Sequence, residues 1–227
     1  MIKRTNIKIG LIGEDPNDTN AIANLLKQKH NDGFSYVTIS QHKRGGQILN
    51  PTSVKSYNIE IKSKLPDYVI VIMDADLTIH DEEKIQKKKD KFYRNFETLS
   101  CKNKLLLMNV YELEALIVAD IDSCNKYYKS NITYSGNVMY LNDPKKFLMD
   151  KTLKGKQYHV SHCPDLFKTL QFDTIIKNVP ISKSSLLKSK RPYLAKLNKI
   201  TTKKDNRTRH ALPHPIVQIS KPLNNIN

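Results

Sequence analysis

Tyr68-Val69-Ile70-Val71-Ile72-Met73 is an apolar run rich in β-branched residues, and it ends in two carboxylates on alternate positions, Asp74 and Asp76. A run of this kind reads as a strand whose two faces are both covered by helices. Extended backbone repeats its side-chain direction every second residue, so Asp74 and Asp76 are expected to point the same way at the carboxyl end of the strand. Two carboxylates that close repel each other, and burying them unpaired is costly. A hard divalent cation is the simplest compensation. The expectation is a metal site around these residues to which a nucleic-acid phosphate is brought.

The rest of the first half alternates between strand and helix patterns. Asn6 to Gly13 reads as a first strand, and Gly13-Glu14-Asp15-Pro16-Asn17-Asp18 as a turn in which Asn17 or Asp18 caps the next helix. Ala21, Ile22, Leu25 and Leu26 recur at helical spacing. Phe34 to Ser40 reads as a second strand, Gln41 to Gln47 as a basic glycine-bearing loop, and Thr52 to Leu65 as a helix. Glu82 to Leu99 reads as a charged helix with a sparse apolar stripe that includes Phe92 and Phe96. Lys104 to Val110 is another buried strand, and Tyr111 to Ile121 a helix. Strands alternating with helices predict an α/β fold, a parallel sheet covered on both sides. After about Asp122 the periodicity weakens; helices are expected from Asp143-Pro144 through Leu148 and from Leu166 to Ile176.

Charge narrows the partner class. The 227-residue chain has 38 Lys and Arg against 22 Asp and Glu, a formal net charge of +16, which favours an anionic partner such as nucleic acid. From Asn178 onward the imbalance is extreme: Lys188, Lys190, Arg191, Lys203, Lys204, Arg207 and Arg209 are among eleven basic residues that face one acid, Asp205. That region is expected to neutralise phosphates. No apolar run approaches the roughly 20 residues needed to span a bilayer, and the N-terminus does not read as a signal peptide. Cys101, Cys124 and Cys163 are scattered and odd in number, which suits a reducing cytoplasm.

Glu14 follows the first strand, and Asp74 and Asp76 follow the central one; in a parallel sheet these ends share one edge, where α/β proteins place their ligands. A strand-to-helix turn bearing Glu14, followed by a hydrophobic strand ending in Asp74-x-Asp76, resembles the TOPRIM domain of type IA and II topoisomerases, bacterial primases and OLD-type nucleases. Asn109 to Asp120, with Glu112-x-Glu114, looks like the Glu-x-Glu segment of standalone TOPRIM-like proteins in bacterial defence systems, and Lys43-Arg44-Gly45-Gly46 is similar to a basic-glycine loop of that group. The resemblance covers residues 5–122 well and the remainder loosely.

It implies a TOPRIM-like, Rossmann-like parallel sheet over residues 1–122. A mostly helical, basic extension over 123–227 would pack on that sheet, with its tail partly disordered. It further implies that Glu14 ligates a metal or acts as general base, that Asp74 and Asp76 hold Mg2+ (or Mn2+), and that Glu112 and Glu114 add ligands. Lys43 and Arg44 would contact phosphate. The implied activity is that of a metal-dependent endonuclease acting on DNA or RNA, tRNA included, in anti-phage defence. The partners it implies are nucleic acid, an ATPase protein and a second copy of the chain. The chain has neither a tyrosine-bearing transesterification domain nor a zinc module, which leaves hydrolysis as the most economical chemistry.

Bland readings stand beside these. Asp76 can cap the next segment, but a cap explains one aspartate and not both. Residues two apart do not share a helical face, so Glu112 and Glu114 both serve only if the backbone is not yet helical there, and Glu112 is the favoured one. His159-x-x-His162-Cys163 lacks a second ligand pair and reads as structural or surface. Two other functions remain open: a non-catalytic nucleic-acid-binding subunit, and a receiver-like phospho-acceptor domain. Against the receiver stand the long gap from Glu14 to Asp74 and the absence of Ser or Thr at Leu107-Met108-Asn109.

Overall fold

Strand and helix alternate in the order β1 (Ile7–Ile12), α1 (Pro16–Lys29), β2 (Phe34–Thr38), α2 (Pro51–Lys64), β3 (Tyr68–Asp74), α3 (Glu82–Glu97) and β4 (Lys104–Asn109). A run of short helices follows: α4 (Ala115–Ala119), α5 (Ile121–Tyr128), α6 (Pro144–Lys151), a 3-10 turn (Val160–His162), α7 (Cys163–Leu166) and α8 (Phe172–Asn178). The structure, a computed structural model, describes residues 6–29, 32–39, 47–74, 82–109, 112–138, 141–153 and 155–179. The four strands form one all-parallel sheet in the order β2-β1-β3-β4, flanked by helices in a Rossmann-like α/β arrangement.

The apolar run of β3 lies at the centre, and Val69 to Met73 are at most 1% exposed. Its alternate residues serve two cores. Ile70 and Ile72 pack with Ile9, Leu11, Leu105 and Leu107 toward α1 and the later helices. Val69, Val71 and Met73 pack with Leu106 toward Val54, Tyr57 and Ile61 of α2 and Phe92 and Phe96 of α3. Burying each such side chain contributes roughly 1.5–3 kcal/mol, which is why the strand is apolar on both faces. Gly10 in β1 permits a close approach: a Cβ there would lie 2.8 Å from Ile39 and 3.3 Å from Pro66.

The segment after residue 122 belongs to the first of these cores. Cys124, Tyr128, Leu148, Tyr158, Phe167 and Ile175 cluster with Ile9, Ile22 and Leu25. Polar anchors join it to α1: Asn24 Nδ2 donates to Pro164 O at 2.7 Å and Gln28 Nε2 to Phe167 O at 2.8 Å. Lys29 and Asp173 form an ion pair.

Several local expectations are corrected. Asp15, not Asn17 or Asp18, accepts at the start of α1: its Oδ1 takes the Asn17 N–H at 2.8 Å, while Asp18 Oδ2 reaches back to the Asp15 N–H at 3.0 Å. The helix predicted over Tyr111 to Ile121 begins only at Ala115 and breaks at Asp120. The carboxylate of Asp120 accepts the Ser123 N–H at 3.4 Å, starting α5. Its other oxygen accepts the Gln171 N–H at 2.6 Å, at the head of α8. The helix predicted over Leu166 to Ile176 is shorter: α7 ends at Leu166, a turn follows, and α8 starts only at Phe172, where Gln171 gives its N–H to Asp120. The second strand ends at Thr38. Asp143 and Pro144 do start α6, with Asp143 Oδ1 accepting the Lys146 N–H at 2.8 Å.

Asp120 is 3% exposed and serves two helix starts, so Asp120→Ala strands two backbone donors. The expected loss is about 1–3 kcal/mol of folding stability, read by urea unfolding. A change within about 0.5 kcal/mol, the range of ordinary surface substitutions, would contradict this account of the break.

Candidate functional site

β1 connects through α1 to β2 on one side, while β3 lies on its other side, so the sheet reverses its winding between β1 and β3. In parallel sheets the crevice outside the carboxyl ends at such a point is where ligands bind. The register places the acids there. Ile12 pairs with Val71 and Asp74 with Asn109, so Glu14, Asp74 and the Glu112–Glu114 segment leave three adjacent strands at one edge. Gly13 lets the chain turn tightly into α1, because a Cβ would meet the Thr19 methyl at 2.7 Å.

Asp74 continues the face of Ile70 and Ile72, which looks toward α1 and α7. The electrostatics agree with that placement. Burial pushes the Cys163 thiol up and the charges of Glu114, Asp18 and Asp74 push it further, while the hydrogen bond with Tyr158 opposes the shift. Asp18 is raised from its ordinary 3.8 to about 7, chiefly by burial. A hydrogen bond from the Asp15 N–H opposes this shift, while the charges of Asp15, Glu114 and Glu14 add to it. The charge of Glu14 also reaches Tyr57 on the other face, where burial is the main cause of a phenol raised to about 12. Glu14, Asp18, Asp74 and Glu114 thus contribute to one electrostatic environment at this edge of the sheet.

Glu112 and Glu114 both precede α4, so neither is constrained by helical spacing. Glu112 is half-buried and accepts the Lys145 N–H at the start of α6 at 3.3 Å. It is raised from 4.5 to about 7, first by burial and then by the charge of Glu114. Glu114, rather than the favoured Glu112, is the one packed into the acid cluster: it is 7% exposed, and its Oε1 accepts the Tyr158 hydroxyl at 2.8 Å.

The donor chemistry suits a hard divalent cation, since the groups are carboxylate oxygens crowded by one another's charge. Among the described residues, no group of three or more His, Cys, Asp or Glu is placed to hold a metal ion. Asp76, which the strand pattern pairs with Asp74, lies outside the described residues. So do Lys43, Arg44, Lys188, Lys190, Arg191, Lys203, Lys204, Arg207 and Arg209. His159 and His162 serve the 3-10 turn: the Ser161 N–H approaches His159 Nδ1 at 3.3 Å, and His162 Nδ1 sits 2.9 Å from the Tyr128 hydroxyl. No helix among the described residues is long and apolar enough to cross a membrane.

Asp18, Tyr158 and Cys163 join the site without having been singled out from the sequence as part of it. Asp18 had a signal only in its closeness in sequence to Glu14, four residues before it. Tyr158 and Cys163 had none, because the fold alone brings them back to β3. No protein-family model, no curated protein and no solved structure matches this chain.

Asp18 and Glu112 hold protons in the folded chain at pH values where the unfolded chain has released them. Stability without added cations is therefore expected to fall as pH rises from about 4 to about 7. Asp18→Asn, whose amide oxygen can still accept the Asp15 N–H, should flatten that decline in urea titrations run across the interval. An unchanged slope would show that Asp18 is not held protonated.

Proposed function

We propose that this chain is a metal-dependent nuclease that hydrolyses phosphodiester bonds in DNA or RNA. What supports the reading is that Glu14, Asp74 and Glu114 close or follow three adjacent parallel strands at one carboxyl edge of a buried sheet, at its switch point. The Mg2+ or Mn2+ ligands in this reading are Asp74, Asp76 and Glu114, with Glu112 beside them, and Glu14 is kept as the base. A bound divalent cation supplies charge neutralisation at the scissile phosphate and a more acidic water. Glu14, at the mouth of the β1 turn, takes the proton of the attacking water as the new P–O bond forms and the ester P–O bond breaks. The excess of Lys and Arg, including Lys43, Arg44 and the basic residues beyond Asn178, holds the phosphate backbone.

The similarity to standalone TOPRIM-like proteins supports a place in anti-phage defence in the cytoplasm beside an ATPase, because the sequence has no phosphate-binding Gly-x-x-x-x-Gly-Lys-Ser/Thr loop of its own. The strand order β2-β1-β3-β4, with Asp74 ending β3, also favours a second reading as a phospho-acceptor receiver. Met108-Asn109 at the end of β4 offers no hydroxyl, and acids follow instead, so hydrolysis is preferred.

Plasmid, single-stranded DNA and tRNA incubated with Mn2+ or Mg2+ are expected to be cleaved, and EDTA should stop cleavage. Asp74→Ala should lower the rate by about two to three orders of magnitude, the scale of losing one preorganised charge contact at the reacting centre. Cleavage by Asp74→Ala at the wild-type rate would overturn the reading. Salt-sensitive binding without cleavage would make the chain a binding subunit, and labelling of Asp74 by acetyl phosphate would make it a receiver.

A further inference from the structure

We infer that one side of α3 is a docking track for the phosphate backbone of nucleic acid; this deepens, and rests on, the nuclease reading. Lys84, Lys87, Lys91 and Arg94 are all exposed and recur at intervals of three, four and three residues along α3. At about 3.6 residues per turn, that spacing gathers them on one stripe about 80° wide. Glu83, Asp90 and Glu97, also exposed, recur every seven residues and form a second stripe beside it. Phe92 and Phe96 stand about 140° round the helix from the basic stripe, packed into the core with Val69, Val71 and Met73. Asn95 Nδ2 donates to Leu49 O at 2.6 Å, and Asn58 Nδ2 of α2 donates to Thr98 O at 3.0 Å. The end of the helix is thereby fastened beside α2, and its rotation is fixed.

A charged helix face is often no more than a solvated one, but two features separate this stripe from that reading. The signs are sorted into stripes rather than mixed. Successive members of the basic stripe are also three or four residues apart, so like charges adjoin at Lys84–Lys87, Lys87–Lys91 and Lys91–Arg94, which destabilises a helix. Lys87 pairs with Glu83 across the border of the stripes at 2.6 Å, but the two side chains are 75% and 79% exposed. An exposed pair contributes little and is readily exchanged for a phosphate. A polyanion relieves the repulsion along the whole stripe and releases its own counterions in doing so. The length fits: Lys84 to Arg94 spans about 15 Å, which matches about four phosphates of one strand at about 3.4 Å of duplex axis each. α3 joins the end of β3 to the start of the parallel β4 and begins eight residues after Asp74, so the Lys84 end of the track is the one nearer the candidate site.

The test is equilibrium binding of labelled single-stranded DNA and of tRNA to the full-length protein in EDTA, which prevents cleavage, between about 50 and 200 mM KCl. For each ligand that the wild type binds, Lys84→Gln, Lys87→Gln, Lys91→Gln and Arg94→Gln made together should weaken binding. They should also lower the slope of log affinity against log salt by about three, since each phosphate contact contributes about 0.7–0.9 to it. A control that replaces four exposed lysines of the later segment by Gln, at Lys126, Lys129, Lys151 and Lys156, changes net charge equally and should keep the wild-type slope. A wild-type slope in the stripe variant, or an equal loss in the control, overturns the inference and leaves the nuclease reading standing. Wild-type protein that binds neither ligand removes both. Should the fourfold variant fail to fold by circular dichroism, Lys84→Gln and Lys91→Gln made singly should each lower the slope by about 0.7–0.9; wild-type slopes in both also overturn the inference.

Discussion

Carboxylates crowded at the end of a buried sheet repel one another, and the remainder of this molecule is arranged around that repulsion. β3 has no exposed face, so its polar end is the first point along the strand where a charge can be tolerated. Glu14 and Asp74 arrive there because β1 and β3 are adjacent and parallel, and Glu114 arrives through the turn after β4. Burial first, and neighbouring acids after it, raise Asp18 and Glu112 to about 7, so below that pH their protons ease the crowding. In the proposed reading a divalent cation would relieve the same stress by another route.

Residues 123–179 pack over the side of the sheet where Glu114 is buried and Asp18 and Asp74 are partly exposed. Their helices cover the α1 face of the sheet and complete one core with β1, β3 and β4. In doing so they carry Cys163 and Tyr158 up to the carboxylates, while Asp120 ties the start of α8 to the end of α4. Covering and site-building are one act: removing the cover would expose the apolar face of the sheet and flood the acids with water, which would return their proton affinities toward ordinary values.

Much of this was legible in the sequence where local chemistry and global position agree. The β-branched run ending at Asp74, the Asp143-Pro144 helix start and the α2 boundaries follow from patterns that tertiary contacts do not override. That Glu14 and Asp74 stand at the ends of adjacent strands, on one edge, was readable because parallel pairing is simple geometry. What was not legible depended on contacts distant in sequence. Nothing near Gln171 announces that its N–H will be taken by Asp120, so the predicted helix starts later, at Phe172. Nothing near Tyr158 announces Glu114. Asp18 looked like a cap because its role as a neighbour of Glu114 appears only when α1 lies on the sheet.

The central claim, that these acids act together on one divalent cation, is tested most directly by thermal unfolding of wild type and Asp74→Asn at rising Mn2+ concentration. A cation that binds only the folded chain raises the melting temperature progressively with its concentration. Wild type is expected to show that rise and Asp74→Asn to lack it; a flat wild-type response, or the same rise in both proteins, would contradict the account.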